Sequence, residues 1–211
     1  ELAKKLKNIN GFDYSAHFFF VRYYEEEKQD HLRIRIKIAP EALGGAITDL
    51  HVFFRSNISV RNICLETYQR EITRYGWPSI LNVEELFCID TQLTCQFLVD
   101  DLHIQDLDKM QFCITNINHY LDSFGYTEEN KLRFVENAKS NFFVEFNVDG
   151  ISKKSINKAY SQHIKNVFSL ENISDKSSDN SLHLKRNSLC KSIIEQQSED
   201  HKDDLVWSII H

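Results

Sequence analysis

The sequence predicts an α+β fold, in which an antiparallel sheet in the first third of the chain packs with helices from the remainder. The two clearest strand patterns, one aromatic and one strictly alternating, both lie before residue 40. Apolar residues spaced by three and four dominate the second half and favour helices. A chain of 211 residues supports one substantial core, so we expect a single domain over residues 1–211, trimmed at both ends.

The first two predicted elements form a β-hairpin. Residues 17–24 (HFFFVRYY) are a continuous aromatic run, and residues 31–38 (HLRIRIKI) alternate between apolar and basic side chains. The polar residues 25–30 between them have the length of a hairpin connection. One face of the second strand is therefore aliphatic, and the other carries four cationic or titratable side chains: His31, Arg33, Arg35 and Lys37.

Turn residues and periodicity define the other elements. Pro40 opens a predicted helix that runs to about Arg55, and residues 60–68 favour a strand. Gly76 and Pro78 end an ambiguous segment. Gly125 ends a helix and Thr127 caps the next. The polar residues 174–180 predict a loop, and the remaining helices are predicted at residues 79–98, 107–124, 152–168, 182–196 and 202–211.

Composition and motifs exclude several classes of function. The net charge is −6, whereas nucleic-acid-binding proteins generally carry a basic face, so no direct nucleic-acid partner is expected. A run of about 18 apolar residues is absent, so no membrane span is predicted. The five cysteines are scattered singly, which argues against a disulfide framework or a structural zinc site. Nucleotide-binding and common hydrolase motifs are also absent, and we predict no cofactor and no metal.

The basic strand face is the first candidate site. Side chains two positions apart on a strand lie about 7 Å apart, so Arg33 and Arg35 are spaced to grip one small dicarboxylate. The solvated outer face of a sheet explains the same pattern, and from spacing alone it is the simpler interpretation.

Two further features carry residues suited to chemistry. In TYQREITRYG, residues 67–76, Glu71 and Arg74 are spaced to pair if the stretch becomes helical, although a weak surface salt bridge explains that spacing equally well. His211 follows an apolar run, where burial or a nearby carboxylate would tune the pKa of its imidazole. A chain-end histidine without a role is the alternative.

Five segments occur in an order that matches a known family. They are FFFVRY at 18–23, HLRIR at 31–35, TYQREITRYG at 67–76, ELF at 85–87 with Asp90-Thr91, and SIIH at 208–211. Together they resemble the C-terminal domain of the class I lantibiotic dehydratases, which also occurs as a stand-alone protein. The family patterns that they match are TYxxExxRYGG, ExLFxxDS and the start of SxxHMHxNR.

The resemblance implies one reaction in lanthipeptide-type biosynthesis. A glutamylating activity first uses glutamyl-tRNA to esterify Ser or Thr hydroxyls of a precursor peptide. The domain that this chain resembles then removes the α-proton and expels glutamate, which leaves dehydroalanine or dehydrobutyrine. A departing carboxylate needs cationic groups, and arginine is suited to this because its planar fork binds both oxygens.

By position, the resemblance gives roles to five residues. Arg33 and Arg35 would bind the glutamyl group and stabilise developing charge, and Glu71 and Arg74 would complete the pocket. His211 would be an acid/base group, although which of Glu71 and His211 is the base stays open. No cofactor is implied.

The resemblance also implies partners and a location. The partners are the glutamylated precursor peptide, a separate or fused tRNA-dependent glutamylation enzyme, and a lanthionine cyclase. The reaction is expected in the bacterial cytoplasm, and a homodimer is compatible with the sequence.

The chain departs from the family pattern at three points. Trp77 replaces a second glycine after RYG, Thr91 replaces a serine, and the closing motif stops at its first histidine. Two alternative functions are a pyridine-forming cycloaddition enzyme of thiopeptide pathways, built on the same domain, and a non-catalytic module that holds the precursor peptide or its glutamylating partner. The presence of all five polar residues favours elimination over both.

Overall fold

The chain divides into two compact units, one up to residue 97 and one from residue 98 onward. That residues 1–211 act as one domain stays a prediction. The structure, a computed structural model, describes residues 18–25, 29–56, 60–77, 79–100, 104–169, 180–197 and 201–210.

A β-hairpin opens the first unit, and a helix covers its aliphatic face. Strands β1 (Phe18–Glu25) and β2 (Gln29–Ile36) pair antiparallel, which confirms the predicted hairpin. The aliphatic face packs on α1 (Leu43–Arg55), which follows a short 3-10 helix at Pro40–Ala42. The small core between hairpin and helix consists of Phe18, Phe20, Ile34, Ile36, Ile38, Ala46 and Leu50.

The opposite face of the hairpin combines aromatic and cationic side chains. The register places Phe19 opposite Arg35 and Tyr23 opposite His31. Residues directly opposite each other in an antiparallel pair point to the same side of the sheet. The side chains that share this face are therefore Phe19, Val21, Tyr23, His31, Arg33 and Arg35.

Residues 60–71 contain no strand, so the strand predicted at residues 60–68 is wrong. Aromatic and β-branched residues favour a strand only when a neighbouring strand completes its hydrogen bonds. In the described part of the chain, the sheet consists of β1 and β2 alone. After this irregular stretch come the single turn α2 (Ile72–Tyr75) and the long helix α3 (Ser79–Asp100), which confirms the helix predicted at residues 79–98.

The second unit is helical, as the periodicity predicts. The glycine after its first helix, Gly125, has a φ of 76°, and the Thr127 side chain accepts a hydrogen bond from the Asn130 N–H at 3.3 Å. Both predicted helix-end positions are therefore confirmed. The predicted loop at residues 174–180 lies outside the described residues, except for Asn180. The helices are α4 (Asp106–Ser123), α5 (Glu128–Glu145), α6 (Gly150–Ser169), α7 (Asn180–Glu195) and α8 (Lys202–Ile210).

These elements confirm the predicted α+β class, with an antiparallel hairpin near the start of the chain and helices over most of the remaining described residues. None of the described helices combines the length and the apolarity that a bilayer crossing requires.

Candidate active site

Helix α3 joins the hairpin to residues 67–76, the TYQREITRYG segment. The ring centroid of Phe87 lies 5.4 Å from that of Phe19 on β1 and 5.7 Å from that of Tyr75 in α2. One turn further along α3, the Thr91 hydroxyl accepts a hydrogen bond from a backbone N–H of β1 at 3.4 Å. Two neighbouring positions on one helix face thus fix where the arginine-bearing face and the TYQREITRYG segment lie.

Arg35 lies over the aromatic ring of Tyr68. The guanidinium carbon is 5.5 Å from the ring centroid, which is within cation–π distance, and Phe19 packs edge-on against the same ring at 6.0 Å. The Arg35 side chain is half-buried, and no carboxylate of the described residues lies within ion-pair distance of it. Because the described part of the chain supplies no acid to neutralise it, this half-buried cation is suited to bind an incoming anion.

Arg33 is held by two neighbours on its own face of the hairpin. Its guanidinium carbon is 4.1 Å from the ring centroid of Tyr23, and its Nε donates a hydrogen bond to Nε2 of His31 at 3.3 Å. The imidazole in turn stacks on Tyr23, with 5.7 Å between centroids. Tyr23 and His31 thus both contact the Arg33 side chain on this face of the hairpin.

Glu71 and Arg74 form the pair that their spacing predicts. Arg74 Nη1 lies 3.3 Å from Glu71 Oε2, and the two side chains are 42% and 45% exposed, respectively. An ion pair this exposed adds little to stability. The Glu71 carbonyl accepts the N–H groups of Arg74 and Tyr75 at 3.0 and 3.1 Å, so the turn of α2 fixes the spacing of the pair.

Tyr68 links the hairpin to this pair electrostatically. Burial raises the pKa of Tyr68 well above its usual value, and the nearby carboxylates of Glu84 and Glu71 raise it further, whereas Arg35 lowers it. Glu84 is itself fixed, because Arg70 Nε donates to both of its carboxylate oxygens at 2.9 and 3.2 Å. Arg35, whose guanidinium carbon lies 5.5 Å from the Tyr68 ring centroid, and Glu71 thus have opposite effects on the pKa of the same phenol.

Tyr75 provides a second link. Burial raises its pKa to about 12, Arg74 opposes this shift, and the nearby Glu71 and Tyr23 add to it. The Arg74 guanidinium carbon is 5.5 Å from the Tyr75 ring centroid. A phenol with this pKa stays protonated near neutral pH, so Tyr75 is a hydrogen-bond donor there and not a base.

The structure brings four of the five predicted site residues into one region of the first unit. Arg33 and Arg35 come from β2, and Glu71 and Arg74 come from the start and the last turn of α2. On the basic strand face, Arg33 and Arg35 are half-buried and Lys37 is exposed. His211 lies outside the described residues, and its role stays a prediction.

Three tyrosines and one acid next to these residues have no predicted role. The sequence signal for them was weak, because tyrosine within an aromatic strand or beside a strand pattern is ordinary core composition. Only the tertiary contacts with the arginines distinguish them. These residues are Tyr23, Tyr68, Tyr75 and Glu84.

A family model matches the sequence of the chain. The model for the lantibiotic biosynthesis dehydratase C-terminal region matches residues 1–211, the whole chain. The chain belongs to this family. Membership confirms the resemblance carried by HLRIR and TYQREITRYG, and it gives this dehydratase-family chain a role in the dehydration chemistry of lanthipeptide biosynthesis. No curated protein matches the chain.

Proposed function

We propose that this dehydratase-family chain eliminates glutamate from glutamylated Ser or Thr residues of a precursor peptide. The observation that carries the proposal is Arg35, a half-buried cation that has no carboxylate partner among the described residues. Arg33 lies two positions earlier on the same strand face. A glutamyl ester presents one free carboxylate and one ester group that becomes a carboxylate on departure, which suits a site built around two arginines.

The elimination needs a base and a site for the departing anion. A base removes the α-proton of the esterified residue, and the C–H electron pair forms the double bond between Cα and Cβ. The bond between Cβ and the ester oxygen breaks, and glutamate leaves with that oxygen as part of its carboxylate. The proton stays on the base, and a negative charge develops on the departing glutamate, where Arg33 and Arg35 stabilise it.

Glu71 and His211 remain the two candidates for the base. Glu71 is exposed and accessible to a peptide, and Arg74 orients its carboxylate at 3.3 Å. Tyr75 is excluded because it stays protonated near neutral pH. Replacement of Glu71 by glutamine and of His211 by alanine separates the two candidates, since only the loss of the base abolishes single-turnover elimination.

The decisive test is the intact mass of a glutamylated Ser/Thr peptide after incubation with this protein alone. We expect each site to lose glutamate and to end one water lighter than the unmodified peptide. The precursor peptide, its glutamylating enzyme, a cyclase and a homodimer remain predicted partners, and this test needs only the first. If the folded protein leaves the ester unchanged, elimination is refuted. Incubation with an already dehydrated peptide would then test the cycloaddition alternative.

A further inference from the structure

The described side-chain contacts of the two strand arginines differ. Arg33 contacts Tyr23 and also donates a hydrogen bond to His31. For Arg35, the contact that orients the guanidinium is the ring of Tyr68, with 5.5 Å between the guanidinium carbon and the ring centroid. Within the described residues, Arg35 has no carboxylate partner that would hold it in place if this ring were removed.

Tyr68 is itself fixed at both ends. Phe19 packs edge-on against its ring at 6.0 Å, and Phe19 is buried. At the other end, the hydroxyl interacts with the carboxylate of Glu84, which is largely buried and paired with Arg70 at 2.9 Å. A ring that is clamped in this way is a rigid surface for the flexible side chain above it.

We propose that Tyr68 is a positioning residue for elimination: its ring holds the Arg35 guanidinium in the orientation that receives the glutamyl carboxylate. The proposal rests on the proposed function. An arginine that is already oriented loses less rotamer entropy when the substrate binds, and the bound ester is then aligned for cleavage. Tyr68 acts through Arg35 and does not itself contact the reacting atoms.

The experiment measures kcat/KM for release of glutamate from a glutamylated Ser peptide. Loss of the ring in Tyr68→Leu should lower kcat/KM about tenfold, because a cation–π contact and the orientation it gives act together. Tyr68→Phe keeps the ring, so its kcat/KM should stay within about threefold of the wild-type value. Tyr160→Leu is the matched control, since Tyr160 is exposed and lies on α6 in the second unit.

A double variant distinguishes positioning from general damage. In an Arg35→Ala background, the proposal predicts that Tyr68→Leu lowers kcat/KM by less than about twofold, because there is no guanidinium left to orient. A full additional tenfold loss in that background would overturn the proposal, and so would a normal rate for Tyr68→Leu alone. Thermal unfolding verifies that each variant is folded, and Tyr68→Met replaces Tyr68→Leu if the latter does not fold.

The same assay separates this proposal from the proposed function. If wild type releases no glutamate, the proposed function fails, and the role of Tyr68 fails with it. If wild type is active and the effects of Tyr68→Leu and Arg35→Ala are independent, only the positioning role fails. Tyr23→Leu gives an internal comparison: Arg33 has a second contact, the hydrogen bond to His31, so the expected loss is smaller.

Discussion

Replacement of Arg35 by alanine tests the site most directly. Arg35 is half-buried and has no carboxylate partner among the described residues, so its removal leaves no unpaired acid in that part of the chain. The loss of one ring contact should therefore lower the free energy of unfolding by less than about 1 kcal/mol. A large loss of activity with little loss of stability is the pattern expected of a binding arginine.

The size of the effect follows from the contacts that Arg35 would make with the departing carboxylate. Each charge-assisted hydrogen bond contributes about 1.5–3 kcal/mol, and a guanidinium makes two with one carboxylate. Even at the lower limit, about 3 kcal/mol is lost, which lowers kcat/KM about 100-fold. Arg35→Lys keeps the charge without the planar fork, so we expect an intermediate loss of about tenfold.

The assay follows the masses of glutamylated and dehydrated peptide over time. With Arg35→Ala, the glutamylated form should persist while the dehydrated form appears slowly. Arg133→Ala is the control, because this arginine is 64% exposed and lies 4.0 Å from Asp203 in the second unit. A wild-type rate for Arg35→Ala would refute the site, and a large fall in its melting temperature would attribute the lost activity to unfolding.

Three further predictions concern other parts of the first unit. Glu71→Gln breaks an exposed ion pair, so unfolding free energy should change by less than about 0.5 kcal/mol while elimination slows at least about tenfold; unchanged elimination would contradict its role. Leu86 is fully buried, so Leu86→Ala should lower the free energy of unfolding, measured by urea denaturation, by about 2–5 kcal/mol. Leu81 lies on the exposed side of α3, so Leu81→Ala should lower it by less than about 1 kcal/mol. Equal losses for the two variants would contradict this packing. Tyr75 has its pKa raised from 10.0 to about 12, so its contribution to stability is complete below pH 10 and is lost as the pH rises through 12. Tyr75→Phe should therefore reduce the loss of unfolding free energy between these pH values by about 1 kcal/mol, after allowance for solvent screening, and an unchanged alkaline profile would contradict this.

The hairpin was predictable because two independent patterns agree. Residues 31–38 alternate strictly between basic or titratable and apolar side chains, and a short polar stretch separates them from an aromatic run. The secondary structure, the face to which each side chain points and the connection between the strands are therefore all consistent with a hairpin. The helices of the second half were equally predictable, since periodicity coincided with the helix-end signals at Gly125 and Thr127.

Residues 60–68 show where this reasoning fails. Their composition favours a strand, but a strand depends on a neighbouring strand that supplies backbone hydrogen bonds. The composition of a segment does not reveal whether such a neighbour is present. The same limit applies to the site. The sequence placed Arg33 and Arg35 on one face, whereas the contact of Arg35 with Tyr68 joins residues far apart in the chain and depends on the packing of α3.

Two departures from the family pattern, Trp77 and Thr91, lie within the described residues. Gly76, with a φ of 76°, occupies a backbone conformation that favours glycine, and the chain retains glycine there. The position after it carries Trp77, which is 65% exposed. Thr91 replaces a serine, yet the hydroxyl that both residues share is the atom that accepts the N–H of Phe20. Thr91 therefore keeps the hydrogen bond that joins α3 to strand β1 of the hairpin.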